Sequence, residues 1–324
     1  MIRLAIIGTG FGRRVLLPAF SGEGFDVVAN CSRDWRSVLQ TAALDAVAIA
    51  VPPMEQPEIA EAMLDRGIAV FCEKPLAMSA ARAQALAARA AGGPANMIDF
   101  EFPEIPAWRR AIEIVSSGDM GRLRHVDVRW SIGSRPAAPG FPNWKQQRAG
   151  GGGALQSFAP HTLHVLERVG GPIATITARI DRMRNDEADT LVSMLIAFRA
   201  GALATVTIAT NDARSAHRVE ITGDAGTLTL ASEERDYIRG FRLFETQAGR
   251  HAEQVEVEPL ADEHDDGRIA AIRPLIRRFR KWILTGAPQR PSFEDGARVQ
   301  LLIDAAIRSA DTQTTVAIPD QNES

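Results

Sequence analysis

The feature that most constrains the fold is a glycine-rich turn that follows a short apolar stretch near residue 1. Residues 4–7 are apolar and partly β-branched, which predicts a buried parallel strand, and residues 13–20 have the apolar spacing of a helix. N–H groups at the start of a helix favour a pyrophosphate, and glycine lets phosphate approach because it has no Cβ atom. The turn therefore predicts a dinucleotide site formed by Gly8, Thr9, Gly10, Phe11, Gly12 and Arg13.

The turn departs from the G-x-G-x-x-G fingerprint at its sixth position. Gly8 and Gly10 fit the first two glycines, but Arg13 occupies the sixth place and the third glycine comes one residue early, at Gly12. An ordinary turn between a strand and a helix is the alternative. The position of the turn, directly between the first predicted strand and the first predicted helix, favours the dinucleotide site.

Strands and helices alternate through the first 100 residues, which indicates a parallel sheet. Further strands are predicted at 24–31, 45–51, 68–72 and 96–100, with helices at 34–43, 58–67 and 79–91. This order is typical of an α/β Rossmann domain with a doubly wound parallel sheet, which we assign to residues 1–100. Because such sheets bind ligands at the carboxyl ends of their strands, Pro52 and Glu73 are cofactor-site candidates.

The rest of the chain, residues 101–324, has a different pattern and predicts a second domain. Helices are predicted at 107–118, 154–169, 268–284 and 293–311, and strands at 122–130, 173–184, 190–198, 202–210, 217–222, 227–231, 237–244 and 254–257. The stretch 133–153 is rich in glycine and proline and is too long for a simple connection, which predicts a lid or a binding loop.

The composition is that of an ordinary globular protein and favours none of the nucleic-acid, membrane and metal partners. A formal net charge of −3 gives no electrostatic reason to expect nucleic acid, and no apolar run approaches the ~20 residues of a membrane span. Cys31 and Cys72 are too few for a disulfide framework and lack metal-ligand spacing. Met1 leads directly into a strand without a signal-peptide pattern, so we expect a cytoplasmic protein. His161 and His164 are three residues apart but have no third ligand at a suitable spacing, so we expect no metal site.

The end of the second predicted strand bears on the choice of dinucleotide. A carboxylate there binds the ribose 2′-OH of NAD, whereas an arginine accommodates the 2′-phosphate of NADP. Ser32 and Arg33 occupy this place, so NADP(H) is favoured over NAD(H), although Asp34 follows directly. The alternative is that Arg33 is a solvated loop residue.

Several motifs, taken in series, resemble the Gfo/Idh/MocA family of NAD(P)-dependent oxidoreductases. They are the glycine turn, Glu73-Lys74-Pro75, Asp99-Phe100-Glu101-Phe102, Gly151-Gly152-Gly153-Ala154-Leu155 leading to His161, and the stretch 291–296. The resemblance covers nearly the whole chain. It implies a Rossmann domain, an α+β domain with a large open and mainly antiparallel sheet, and a homodimer or homotetramer formed through the open sheets. Family members act mostly on the hydroxyl-bearing carbons of sugars and polyols.

The resemblance also implies roles for individual residues. Lys74 corresponds to the family's acid/base lysine beside the nicotinamide, with Glu73 orienting it or the cofactor, and His161 to its helix histidine, which assists at the reacting oxygen. Trp144 and Lys145 lie where many relatives carry a pair that reaches the cofactor. The alternatives are a solvated lysine, a core histidine and a packing tryptophan.

Two departures from the family pattern affect the same helix. Ser157 and His164 stand where relatives often have aspartate, four residues before and three residues after His161. His164 either takes over part of the role, as a substrate-site residue, or is a structural replacement. The segment from Arg33 to Asp45 is also shorter than usual, as though a helix and a small strand were missing, which weakens the NADP(H) prediction.

The leading interpretation is an NADP(H)-dependent oxidoreductase that acts on a sugar-like or cyclic polyol substrate, with Lys74 as acid/base and His161 assisting. The alternatives are a non-catalytic dinucleotide-binding regulatory protein and a lyase or glycosidase that uses transient oxidation with a retained cofactor. Ser157 and His164 favour the regulator, whereas the intact Lys74 and His161 argue against it.

Overall fold

The computed structural model describes residues 1–32, 34–41, 43–133, 147–181, 188–234, 236, 238–260 and 266–320. The chain forms two compact units. The first unit contains Met1–Glu104 and Ala261–Leu301, and the second contains Ile105–Leu260 and Leu302–Ser324. The predicted domain boundary after residue 100 lies four residues before the end of the first segment of the first unit, at Glu104. Residues 261–301 belong to the first unit, whereas the prediction placed all of 101–324 in the second domain.

The first unit contains a five-stranded sheet in which all neighbouring strands are parallel, as predicted. Its strands are β1 (Ile2–Ile7), β2 (Phe25–Cys31), β3 (Ala46–Ile49), β4 (Ala69–Cys72) and β5 (Asn96–Ile98). The order across the sheet is β2-β1-β3-β4-β5, so the winding reverses between β1 and β3. A crevice at such a reversal is where open α/β sheets bind their ligands.

Helices accompany this sheet in the alternation that the sequence predicts. A π-helical turn at Gly12–Leu16 continues into α1 (Leu17–Ser21), and α2 (Gln56–Leu64) and α3 (Ala80–Ala90) follow later strands. Ser79 caps α3, where its hydroxyl accepts the backbone N–H of Arg82. Between β2 and β3 the described residues, 32, 34–41 and 43–45, contain a 3₁₀ helix at Trp35–Gln40 and no strand.

The helix α6 (Arg268–Thr285) explains why the chain returns to the first unit. Its apolar face, which includes Ile272, Ile276 and Phe279, belongs to the same buried cluster as residues of β1 and β2. The ring of Phe279 stacks on Phe25 at a centroid distance of 6.2 Å and meets Phe20 edge-on at 6.5 Å. Burial of this face against the parallel sheet is the driving force for the return.

The second unit is built on a nine-stranded sheet that is antiparallel except where β6 pairs with β9, and this confirms the predicted α+β class. Its strands are β6 (Leu123–Gly133), β7 (Ile173–Asp181), β8 (Leu191–Phe198), β9 (Leu203–Asp212), β10 (Ala216–Gly223), β11 (Gly226–Ser232), β12 (Arg242–Gln247), β13 (Glu253–Val255) and β14 (Val316–Ala317). The order is β13-β12-β11-β10-β6-β9-β8-β7-β14. The strand predicted at 237–244 begins later, at Arg242, because Ile238 and Arg239 lie in a turn whose backbone N–H groups bind the Asp236 carboxylate.

The second unit also contains α4 (Pro106–Ser117) and α5 (Ala154–Gly170), and α7 (Phe293–Thr312) spans the division between the units. Helix α5 packs against β8 and β9, so one face of the sheet is covered by a helix. Among the helices in the described segments, none combines the length and the apolar character that crossing a bilayer requires.

Candidate functional site

In the first unit the five parallel strands end in register, so their carboxyl ends lie along one edge of the sheet. Pairing register aligns their last residues in one row, which consists of Cys31, Ile7, Ile49, Cys72 and Ile98. Each neighbouring pair of strands forms one further backbone hydrogen bond beyond this row, with nitrogen-to-oxygen distances of 2.8–2.9 Å. The donors are the N–H groups of Gly8, Ala50, Glu73 and Asp99. The residues directly after the strands therefore lie side by side.

Each glycine of the turn has a different physical reason to lack a side chain. Gly8 has a φ of +129°, and a Cβ atom there would lie 2.2 Å from the carbonyl oxygen of Ala50. Gly12 lets the helix approach the sheet, since a Cβ atom would meet the Ile6 Cγ2 atom at 3.0 Å. At Gly10 a Cβ atom would point into open space, which is the space that a bound pyrophosphate would use. The early third glycine thus performs the packing role that the fingerprint assigns to its last glycine.

The other residues predicted around the turn lie at the same edge. Thr9 and Arg13 are exposed, and the ring of Phe11 is half-buried under the guanidinium group of Arg268, whose carbon is 5.1 Å from the ring centroid. Pro52 follows β3, and its carbonyl oxygen accepts the N–H of Glu55 in the turn that leads to α2. These placements are compatible with a dinucleotide lying along the turn.

The end of β2 carries the residues that were predicted to select NADP(H). Ser32 is exposed, and Arg33 lies outside the described residues. Arg36, one turn further on, already forms an ion pair with Glu58, and its guanidinium carbon lies 4.4 Å from the centroid of the Trp35 ring.

Lys74 follows β4, and a buried glutamine holds the backbone around it. The Gln56 amide donates hydrogen bonds to the carbonyl oxygens of Glu73, at 3.0 Å, and Pro75, at 2.8 Å. Its own oxygen accepts a hydrogen bond from the Cys72 thiol at 3.3 Å. Since Gln56 is completely buried, these bonds fix the backbone on both sides of Lys74.

Three carboxyl groups share this edge with Lys74. Asp99 and Glu101 follow β5, and both are buried, with exposed fractions of 1% and 4%. Burial is the main cause that raises the pKa of Asp99 well above its usual range, and the negative charges of Glu101 and Glu73 raise it further. Burial also raises the pKa of Glu101, to about 7, although Lys74 and more weakly Arg268 oppose the shift.

In the second unit the start of α5 is held by an acidic residue from the segment before β8. Gly153 has a φ of +112°, and a Cβ atom there would lie 2.2 Å from a carboxylate oxygen of Asp189. The other carboxylate oxygen accepts the N–H of Leu155 at 2.8 Å, and the Asp189 carbonyl accepts the N–H of Ala154 at 2.9 Å. Asp189 therefore caps the helix that carries the predicted histidines.

The histidines of α5 lie in the second unit, whereas Lys74 lies in the first. Ser157, His161 and His164 are buried and, at spacings of four and three residues, lie on one face of the helix. Trp144 and Lys145, the predicted cofactor pair, lie outside the described residues.

Sequence reasoning did not assign a function to four of the residues that shape these two regions, namely Gln56, Asp99, Glu101 and Asp189. A signal existed for two of them, because Asp99 and Glu101 follow a strand that neighbours the strand of Lys74. For Gln56 and Asp189 the partners are 16 to 34 residues away in the chain, and only the fold brings them together.

Two family models match the chain. Residues 23–95 match the oxidoreductase family model with an NAD-binding Rossmann fold, and residues 108–229 match the GFO/IDH/MocA C-terminal domain. An uncharacterized oxidoreductase of Synechocystis is 29% identical and covers 98% of this chain and 96% of its own length. The levoglucosan dehydrogenase of Pseudarthrobacter phenanthrenivorans is 26% identical over 90% of this chain and 84% of its own.

Solved structures show the same fold. A levoglucosan dehydrogenase in complex with NADH and levoglucosan superposes with a TM-score of 0.84 at 22% identity, covering 98% of this chain and 99% of that one. An inositol dehydrogenase homologue from Azotobacter vinelandii, in complex with NADH and myo-inositol, gives a TM-score of 0.81 at 18% identity, covering 98% and 97%.

Proposed function

Because the chain belongs to the GFO/IDH/MocA oxidoreductase family, we propose that it transfers hydride between a nicotinamide dinucleotide and a hydroxyl-bearing carbon of a sugar-like or cyclic polyol substrate. The observation that carries this proposal is the shared edge of one sheet. The glycine turn follows β1 and Lys74 follows β4, and the strand between them, β3, ends at the same level.

The residues of the turn fit a dinucleotide. The open space beside Gly10 is next to the N–H groups of the first helical turn, and Gly8 and Gly12 keep the backbone close to the sheet. Thr9, Phe11 and Arg13 would line the bound molecule. When bound, the nicotinamide ring supplies a carbon that accepts or returns a hydride.

Lys74 is proposed to act as the general acid/base of the same reaction, transferring the proton of the substrate hydroxyl group. As a neutral amine it accepts the hydroxyl proton of an alcohol, and as an ammonium group it polarises and protonates a carbonyl oxygen in the reverse direction. The buried Gln56 supports this role because it limits movement of the backbone at Glu73 and Pro75. The assistance of His161, on α5 of the second unit, belongs to the proposal on the strength of the family resemblance.

A preference for NADP(H) is part of the proposal. It is supported by Ser32 at the end of β2, where a carboxylate would repel a 2′-phosphate, and by Arg33 in the sequence. Arg36 is a poorer candidate, since its guanidinium group is paired with Glu58.

Fluorescence titration with NADPH and with NADH tests the cofactor. We expect tighter NADPH binding that weakens at least tenfold in Arg33→Ala and changes little in Arg36→Ala, the matched control. Preference for NADH would contradict the NADP(H) choice alone. If neither nucleotide binds, the oxidoreductase proposal fails. If a nucleotide binds, turnover is screened with that nucleotide by the absorbance of reduced nicotinamide, beginning with levoglucosan and myo-inositol.

We also propose that the nine-stranded sheet mediates a homodimer or homotetramer. Leu191 and Leu195 on β8 and Leu203 on β9 are exposed on a sheet, with 37%, 50% and 46% of their surfaces accessible. Covering such apolar side chains is a common use of an open sheet face. Light scattering should show Leu195→Asp as a monomer. Leu284→Asp, which changes an exposed leucine of α6, should keep the assembly of the unchanged protein.

A further inference from the structure

The carboxyl groups around Lys74 form a cluster that the proposed hydride transfer does not use. Glu73 precedes Lys74 at the end of β4, and Asp99 and Glu101 follow the neighbouring strand β5. Together they bring three acidic side chains to one basic side chain, in a region where Asp99 and Glu101 are almost completely removed from solvent. Burial of this many acidic groups costs free energy unless they hold protons or are paired.

The backbone fixes where these groups lie. The Asp99 N–H donates to the carbonyl oxygen of Cys72, the residue just before Glu73, at 2.9 Å. The Glu73 N–H donates to Ile49 at 2.9 Å, and Gln56 binds the Glu73 carbonyl. The backbone of Glu73 and Asp99 is therefore part of the hydrogen-bonded edge of the sheet.

Asp99 lies close enough to Glu73 for the charge of Glu73 to affect its pKa. Within the described residues, neither carboxyl oxygen of Asp99 receives a hydrogen bond from an N–H or hydroxyl group, and the same holds for the buried Oε1 atom of Glu73. The negative charge of Glu73 adds to the effects of burial and of Glu101 in raising the pKa of Asp99. The raised pKa of Asp99 favours its protonated form, which reduces the negative charge of the cluster.

Glu101 is then the member of the cluster whose charge is balanced between opposing influences. The burial of its own side chain and the negative charge of Glu73 favour the protonated form. Lys74 and Arg268, at the start of α6, favour the ionised form. Arg268 is itself held by Asp266 through two hydrogen bonds of 2.7 and 2.6 Å, so its charge is partly neutralised.

We propose that Glu101 is the proton-exchange partner of Lys74. When the Lys74 amine has taken a proton from a substrate hydroxyl, the resulting ammonium group returns that proton to the Glu101 carboxylate, leaving a neutral amine and a carboxylic acid. In the reverse direction the carboxylic acid recharges the amine. Glu101 does not contact the substrate itself and acts only by exchanging a proton with Lys74, so it is a positioning residue. This role rests on the proposed acid/base function of Lys74.

Infrared difference spectroscopy tests the coupling without any turnover, because protonated and ionised carboxyl groups absorb at different frequencies. A pH titration of the intact protein should show carboxyl absorbance that titrates near neutral pH, and Glu101→Gln should lose the part that belongs to Glu101, while any contribution of Asp99 remains. Lys74→Met should move the midpoint of the Glu101 part to higher pH, since the neighbouring cation is lost, whereas Lys74→Arg, which keeps the charge, should leave it nearly unchanged.

Kinetics test the role in turnover. Glu101→Gln should lower kcat roughly 10- to 100-fold near neutral pH, remove the corresponding bend from the pH profile of kcat, and leave KM and the dinucleotide Kd nearly unchanged. Glu101→Asp should restore part of kcat and the bend. Glu104→Gln is the matched control, because the carboxylate of Glu104 binds Arg278 and faces a structural partner instead.

Three results would overturn the proposal: a carboxyl titration near neutral pH that Glu101→Gln leaves undiminished, a midpoint that does not move in Lys74→Met, or an unchanged pH profile of kcat in Glu101→Gln. If the unchanged protein reduces neither NAD⁺ nor NADP⁺ with any polyol, the proposed function fails on its own. The infrared titration then decides the proton exchange, with a shift in Lys74→Met supporting the coupled pair and no shift overturning it.

Discussion

The carboxyl cluster of the first unit and His217 of the second unit are both deeply buried, yet their surroundings differ in kind. Glu101 faces other charged groups, among them Lys74 and Arg268. His217 lies among aromatic rings, stacked on Trp130 at a centroid distance of 4.4 Å and close to Phe241 at 5.2 Å. One group is buried with charges and the other with hydrocarbon surface.

Burial favours the neutral form in both places, but it has opposite effects on the two pKa values. For Glu101 the pKa rises, and the nearby cations stop the rise at about 7. For His217 burial alone lowers the pKa to about 3, so the ring is neutral at physiological pH. A buried ionisable group therefore becomes a candidate for proton exchange only where opposing charges return its pKa to the working range.

The largest expected difference between the two regions is in catalysis. Lys74→Met should lower kcat/KM for a polyol substrate about 1000-fold, since it removes the group proposed to take the proton. His217→Phe keeps an aromatic ring in an aromatic environment and should stay within about threefold of the unchanged protein. Dinucleotide fluorescence verifies that both variants keep the cofactor site. A loss in His217→Phe that equals the loss in Lys74→Met would break the distinction between the regions.

Acid should destabilise the second unit through His217. The unfolded chain takes up a proton near pH 6.5, and folded His217 does so only near its pKa of about 3. The free energy of unfolding therefore falls as the pH drops through this window, by roughly 2–4 kcal/mol. Urea unfolding of His217→Phe at several pH values should show a flatter acid limb. An identical slope in both proteins would mean that His217 is protonated in the fold.

The sequence predicts the first unit well because the motifs that define its strands and turns consist of residues adjacent in the chain. The glycine turn, the apolar strands and Lys74 at the end of β4 follow from residues that are adjacent in the chain. The role of Gly12 is a case in point, since a helix that packs on Ile6 needs a small residue wherever the fingerprint places it. The packing of α6 on β1 and β2 could not be predicted, because nothing in its own pattern says which sheet covers it.

The same limit applies to the candidate site. Asp99 and Glu101 appear in the sequence as part of a motif, but their effect on Lys74 depends on the strand order β4-β5 and on burial, and both are properties of the fold. The predicted roles of Arg33, Trp144 and Lys145 stay predictions, since these residues lie outside the described part of the chain.

The smallest expected effect is the contribution of Glu101 to the pH dependence of stability. Its slope of the free energy of unfolding against pH should have the opposite sign to that of His217. The pKa of Glu101 is raised in the fold from 4.5 to about 7, so the folded protein holds a proton that the unfolded chain has lost. The free energy of unfolding should therefore fall as the pH rises between these values, by roughly 1–3 kcal/mol.

Glu101→Gln should reduce this slope without abolishing it, because Asp99, whose pKa is also raised, contributes with the same sign. In the unchanged protein the contribution of His217 opposes those of Glu101 and Asp99 between about pH 4.5 and 6.5. Urea unfolding of the two single variants should separate them. Relative to the unchanged protein, the slope of stability against pH over this window should become more positive in Glu101→Gln and more negative in His217→Phe. Changes of the same sign would show that the two buried groups do not differ as their surroundings require.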